Sequence, residues 1–343
     1  MVVLAFSKLI PGGNPTILLH DPGIRPDELP GVSALLMSPL HLQAEQVGAL
    51  YSGKADEWSS SSPDWDLPRL VMMGGEFCVN AVRSAALCLA RQGWLLPRDI
   101  PEATGPVWGG RLTVSGAEAP VRVLVAADAE ALSLAVRHNA DGRDVSAHLG
   151  KKALPELPRL FCAAEVACPA PEKSCVPLRE GVTLVSLPGI SHLLVDAGRS
   201  PAPDLSGEAW KRESEAWRAQ CGIDGLPASG VVWYEKNQEG YSIWPAVAVK
   251  ATGSEHLESA CGSASLAVAL LHAAGQMTGQ MTGQMTGQAP GDGAAPAVAV
   301  RQPSGETLFV TRSAASAASG APAPQTLWVS GQVVLAAEGK AHV

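Results

Sequence analysis

The chain has 343 residues, 46% of them apolar and only 17% charged, so it can bury a large core, and intrinsic disorder is excluded for most of it. A formal charge of −8 and a pI near 5.5, without any basic patch, exclude nucleic acid or an anionic membrane as the main partner. Residues Met1 to Leu19 lack the charged start, apolar stretch and small-residue cleavage site of a signal peptide, so none is expected. The longest apolar run, Leu266 to Ala274, is about half of what spans a bilayer. Seven cysteines, an odd count, point to reduced thiols and a cytoplasmic location.

In chain order, Val2 to Leu9 reads as a strand, Pro11 to Asn14 as a turn and Thr16 to His20 as a second strand. Glu45 reads as the start of a helical stretch, and Ser52 to Asp66 as an exposed loop. Leu70 to Met73 is a short apolar run broken by Gly74 and Gly75. From Cys78 to Arg91 the Ala/Leu pattern, free of Gly and Pro, predicts a buried helix that stops at Gly93. Strands are expected around Leu112 to Ser115 and Val121 to Ala126.

The Pro-rich stretch from Leu154 to Pro177 reads as a linker between two domains, residues 1–150 and 151–332. Val182 to Leu187 and His192 to Val195 read as strands, and Gly207 to Cys221 as an amphipathic helix with Trp210 and Trp217 on its apolar side. Val231 to Tyr234 and Tyr241 to Val249 form an expected hairpin. A second buried helix is expected over Cys261 to Ala274, followed by a flexible loop, Gly275 to Gln288, in which Gly-Gln-Met-Thr occurs three times. Strands at Ala297 to Gln302, Thr307 to Thr311 and Leu327 to Leu335 complete the chain.

An approximate repeat carries the chemistry. Glu76-Phe77-Cys78-Val79-Asn80-Ala81 opens the first buried helix, and Glu258-Ser259-Ala260-Cys261-Gly262-Ser263-Ala264 opens the second, with the cysteines 183 positions apart. At a helix N-terminus, unpaired N–H groups and the positive end of the dipole favour a thiolate, which is expected to bring the thiol pKa toward neutrality. The same N–H groups can hold a carboxylate. Two such thiols on opposite faces of one carbon could remove a proton from one side and deliver one from the other, inverting a stereocentre. Cys88 reads as core, and the spacing of Cys162, Cys168 and Cys175 fits no tight zinc knuckle, so no metal site is expected. No Gly-x-Gly-x-x-Gly or phosphate-loop motif follows a strand.

Cys78-Val79-Asn80-Ala81-Val82-Arg83 resembles the Cys-Gly-Asn-Gly-Ala-Arg motif of diaminopimelate epimerases, and Ala260-Cys261-Gly262-Ser263 resembles their second motif. Phe6-Ser7-Lys8, Gly13-Asn14, Glu45-Gln46-Val47-Gly48, Glu258, Gln302-Pro303 and Gly339-Lys340-Ala341 resemble more closely the histidine racemases of staphylopine-type metallophore biosynthesis. The resemblance implies an α+β fold of two pseudo-symmetric domains, each a curled mixed sheet around a central helix, with the site between them and a C-terminal strand, about 333–343, returning to the first. It implies an isomerase that works without pyridoxal phosphate, another cofactor or a metal, with Cys78 and Cys261 as the two bases. Asn14, Glu45, Val79, Asn80, His192, Glu258, Gly262 and Ser263 would bind the substrate.

Val79 and Ala264 stand where the family motif has glycine, which narrows the pocket. The Glu-Arg pair of diaminopimelate epimerases is missing, Thr252-Gly253 occupying its place, which weakens the case for that substrate. The expected ligand is a small amino acid, histidine first, with diaminopimelate or a hydroxyproline-like imino acid as alternatives. A homologue that binds an amino acid without turning it over is a third reading. A homodimer is left open, and so is the place of His256, on a loop surface or on the rim of the cleft.

Overall fold

The computed structural model describes residues 2–52, 67–140, 158–168, 170–277, 297–312 and 325–343. In chain order the elements are β1 (Val3–Pro11), β2 (Thr16–His20), α1 (Leu29–Met37), β3 (Gln46–Tyr51), β4 (Arg69–Met72), α2 (Val79–Arg91), β5 (Leu96–Arg98), β6 (Val107–Val114), β7 (Val121–Ala126), α3 (Ala129–Ala140), β8 (Arg159–Cys168) and α4 (Pro171–Ser174). There follow β9 (Cys175–Arg179), β10 (Val182–Leu187), β11 (Ile190–Asp196), α5 (Ala209–Gln220), β12 (Ala228–Lys236), β13 (Tyr241–Val249), β14 (Ser254–Leu257), α6 (Gly262–Met277), β15 (Val298–Arg301), β16 (Thr307–Arg312) and β17 (Gln325–His342).

All strands belong to one mixed, hydrogen-bonded network. Its first part closes on itself. Antiparallel β1/β2, parallel β2/β3, antiparallel β3/β4, parallel β4/β6, antiparallel β6/β7 and antiparallel β7/β8 lead round to β17, which pairs with both β8 and β1. The later strands repeat the same order of senses: β10/β11 antiparallel, β11/β12 parallel, β12/β13 antiparallel, β13/β15 parallel, then β15/β16 and β16/β17 antiparallel. Helix α2 packs against the first series and α6 against the second, and the two helices touch each other.

Helix α2 follows from its composition. Every residue from Val79 to Ala90 is buried, so the Ala/Leu run forms a helix that suits the inside of a curled sheet. Cys78 is its N-cap in extended conformation, with the Ala81 N–H donating to Sγ at 3.4 Å. Beyond Arg91, bonds from the Gly93 amide to the Ala90 carbonyl and from the Trp94 amide to the Leu89 carbonyl end it. The main core contains α2 and α6 together, and smaller apolar clusters lie beneath α1, α3 and α5. Trp217 and Trp210 both join the cluster under α5, as their spacing predicts.

Three expectations need correction. The expected linker holds the ten-residue strand β8, buried between β7 and β17, because its prolines flank Arg159–Cys168 and leave that run free to pair. Glu45 opens a strand, β3, and not a helix: Gln46 to Leu50 are buried and pair in parallel with β2. Gly275 to Met277, expected as the start of a loop, continue α6, while the rest of the Gly-Gln-Met-Thr run lies outside the described residues. Ser52 is described, but the remainder of the expected loop to Asp66 is not, and the boundary near residue 150 also falls outside the described residues. Among the described residues no helix is long and apolar enough to cross a membrane.

Candidate active site

Cys78 and Cys261 stand at the starts of α2 and α6, and both line one cleft of about 520 Å³, measured with its open mouth. The cleft is graded. Gln46, Cys78, Asn80, Glu258, Cys261 and Ser263 are buried at its floor, whereas Glu45, Glu76, Ser254 and His256 are half-buried towards the mouth. Among the described residues no Lys or Arg lines it.

The two thiols have matching local supports. Ala81 N–H donates to Cys78 Sγ and Ala264 N–H donates to Cys261 Sγ, each at 3.4 Å. The Cys78 thiol donates to Gln46 Oε1 at 3.0 Å, and Gln46 Nε2 donates to Glu258 Oε1 at 2.8 Å. Cys261 Sγ lies 3.3 Å from Ser263 Oγ, which bonds His192 Nε2 at 2.8 Å. Gln302 Oε1 accepts from the Cys261 amide at 2.9 Å and fixes the start of α6.

The expected thiol acidity is not met in this site. Burial pushes both thiols well above their ordinary value, and the negative charge of Glu258 adds to it. The helix N–H donors pull the other way and lose. Burial also raises Glu258 to about 8 and lowers His192 to about 3, so His192 is neutral. Glu258 Oε2, Asn80 Oδ1 and His256 Nε2 are buried without a hydrogen-bond partner.

Glu258, whose folded pKa of about 8 lies above the ordinary glutamate value of 4.5, favours folding fully below about pH 4.5. That contribution is lost as the pH rises through about 8. The thermal midpoint of the unliganded protein should therefore fall between pH 5 and 8.5, and Glu258→Gln should flatten the slope. An equal slope in the variant would show that other groups cause it.

Of the residues singled out in the sequence, Glu45, Cys78, Val79, Asn80, Glu258, Cys261, Gly262 and Ser263 line the cleft. Asn14 and His192 do not; both are fully buried one layer behind it. Asn14 Nδ2 donates to Glu45 Oε2 at 2.8 Å and to the Ala260 carbonyl at 3.1 Å, and Asn14 Oδ1 accepts from Thr16 at 3.0 Å. Asn80 Nδ2 grips the same Ala260 carbonyl at 2.8 Å. Asn14 thus holds the peptide before Cys261, and His192 holds Ser263. Glu45 accepts from the amide and hydroxyl of Ser259, at 3.0 and 2.5 Å, so it too ties the two cysteine segments together.

Sequence reasoning did not single out Gln46 or Glu76 for the site and left His256 open. Gln46 was detectable within the Glu-Gln-Val-Gly segment, and Glu76 as the acid just ahead of Cys78. Ser254 and His256 face the cleft because alternate residues of β14 share one side, with β14 paired to β13 through Val249↔Ser254 and Val247↔His256.

The two helix starts meet at Val79 and Gly262. A Cβ on Gly262 would lie 2.7 Å from Val79 Cβ and 3.2 Å from Asn80 Oδ1, so the glycine is what lets Val79 stand where the family motif has glycine. Gly262→Val should therefore cost about 1–3 kcal/mol and displace Cys261, and adding Val79→Gly should restore most of the stability. Urea midpoints of the three variants test this; a Val79→Gly/Gly262→Val chain no more stable than Gly262→Val would contradict it.

Residues 3–144 match the family model described as the histidine racemase CntK N-terminal domain. That match covers less than half of the chain. A histidine racemase of Fusobacterium nucleatum is 40% identical over 88 residues, which is 26% of this chain and 28% of that protein. A histidine racemase of Staphylococcus aureus is 38% identical over 82 residues, 24% of this chain and 27% of that protein. The chain thus spans little more than a quarter of the length of these curated relatives. Among solved structures, a hydroxyproline epimerase from Agrobacterium vitis with bound trans-4-hydroxy-L-proline has a TM-score of 0.55 at 10% identity, covering 98% of this chain and 92% of that one. That likeness establishes the fold: a sheet-dominated, barrel-like architecture with few helices, shared with proline-racemase-like epimerases.

Proposed function

We propose that the chain is an isomerase that racemises an amino acid at its α-carbon without a cofactor, with histidine as the foremost substrate. The observation that carries the proposal is the pairing of Cys78 and Cys261, each capping a buried helix, on one cleft. The substrate carboxylate meets the N-termini of α2 and α6, where the backbone donors and helix dipoles favour an anion. Its ammonium meets Glu258 Oε2 and Asn80 Oδ1, two acceptors on buried cleft residues that are left without partners. One sulfur, as thiolate, takes the α-proton, and the other, as thiol, gives its proton to the opposite face. The two then hold exchanged protonation states. Because burial keeps the empty site in thiol form, a cationic ammonium beside a sulfur is what lowers its pKa enough to act.

The repeated order of strand senses, with α2 and α6 in equivalent places, supports reading the chain as a duplication: residues 1–150 and 151–332, with 333–343 returning to the first unit. Seven free thiols suit a cytoplasmic location. Diaminopimelate fits poorly, since its distal carboxylate would face a cleft lined by three glutamates and, among the described residues, no Lys or Arg.

The test is incubation with single amino acids in heavy water without added cofactor, following the α-deuterium by NMR. L-histidine should gain α-deuterium and yield D-histidine. Absence of exchange with every amino acid would refute the proposal.

A further inference from the structure

We propose that Glu76 and His256, at the mouth of the cleft, select the substrate's side chain, admitting amino acids with a cationic or N–H-donating side chain and rejecting acidic ones. This rests on the racemase reading, which places the α-carbon between the sulfurs at the floor. The side chain then points towards the half-buried end, which those two residues share with Glu45 and Ser254. Glu45 is already saturated by Asn14 and Ser259.

Glu76 is set rigidly, and among the described residues no Lys or Arg shares the cleft with it. Its carboxylate accepts from the Gly74 amide at 2.8 Å, and its carbonyl accepts from Ser115 Oγ at 3.0 Å. The peptide after it is wedged between Gly116 and Gly189, both at positive φ; a Cβ on either would come within 2.5 or 2.9 Å of the Phe77 nitrogen. Gly74 is equally cramped, a Cβ there meeting Glu76 Oε2 and Val249 Cγ1 at 2.7 Å each, so Glu76 abuts the β13–β14 wall that carries His256. His256 Nε2 is buried and unpartnered on that wall. A half-buried carboxylate held by a single amide and an imidazole nitrogen without a partner, in a cleft that no described Lys or Arg lines, are complementary to a donor such as an imidazole N–H or an ammonium. A side-chain carboxylate would instead meet the carboxylates of Glu45 and Glu76.

Steady-state racemisation by the full chain and its Glu76→Gln variant tests this, with L-histidine, L-glutamine and L-glutamate as substrates and the thermal midpoint checked for both proteins. We expect Glu76→Gln to raise KM for L-histidine about tenfold or more while kcat stays within about threefold, and to erase the preference for histidine over glutamine. An unchanged KM, or a lower kcat at constant KM, would overturn the assignment. If the variant does not fold, the wild-type panel decides: L-glutamate turned over as efficiently as L-histidine overturns it, and at least tenfold selection against L-glutamate supports it. A wild type that exchanges no amino acid refutes the racemase reading and this inference with it. A wild type active on histidine beside an unaffected Glu76→Gln refutes this inference alone.

Discussion

Replacing Cys78 or Cys261 by Ala is expected to lower racemisation by at least about 10³-fold, the scale of a lost general acid or base. The double variant should be little worse than either single one, because two groups that act on one proton transfer are not additive. Both variants should stay folded: each removes one sulfur atom and one cap bond of 3.4 Å, at the cost of about 0.5–2 kcal/mol. Cys→Ser at either place retains the cap acceptor but raises the acidity barrier, so it should be nearly as inactive. The measurement is the rate of D-histidine formation from L-histidine, with the fold checked by circular dichroism. Measurable turnover in both single Ala variants would end the two-base account.

Arg83 should be the most costly residue to truncate outside the cleft. It is fully buried one turn into α2, with Nε donating to the Cys162 carbonyl at 3.2 Å and Nη2 to the Gln332 carbonyl at 3.0 Å. These bonds fasten the helix that carries Cys78 to β8 and β17, near Gly331, where a Cβ would stand 3.0 Å from Nη2. Burial lowers its pKa to about 10, so it stays protonated at neutral pH. Arg83→Ala leaves a cavity in the core and takes away both guanidinium bonds, although the Gln332 carbonyl keeps the Gly12 amide at 2.9 Å, for a loss of roughly 3–5 kcal/mol. Urea unfolding measures it. A loss below about 1 kcal/mol would mean that water or neighbouring side chains refill the gap.

How far the sequence could be read depended on how local the cause was. Helix α2 was legible because one uninterrupted Ala/Leu run and its capping cysteine lie together, and β2 and β7 have the residue ranges that their apolar patterns give. Strand β8 was hidden by Pro155, Pro158, Pro169 and Pro171 around it, and its burial depends on β17, far along the chain. Helix α1, Leu29–Met37, was not among the expected elements; Pro30 lies in its first turn, where proline is suited, and Gly31 follows it. Strand β3 is buried along nearly its whole length, so it lacks the alternation that marks an exposed strand. In the site, the cysteines were legible from their repeat. The contributions of Gln46, Ser254 and His256 were not, because they depend on how β3 and the β13–β14 hairpin approach the same cleft.

The pairing of β17 with β1, Val3 opposite His342 and Pro11 opposite Val333, has a kinetic consequence. The ring around α2 lacks a stave until residues more than 300 positions downstream have been synthesised and have found their place. During translation the nascent N-terminal part therefore presents unpaired strand edges and half-covered apolar helix surface for the entire time of elongation, a state that invites chaperone capture or aggregation. Closure of the ring waits for β17, and with it the Gln332 carbonyl through which Arg83 fastens the helix that Cys78 caps.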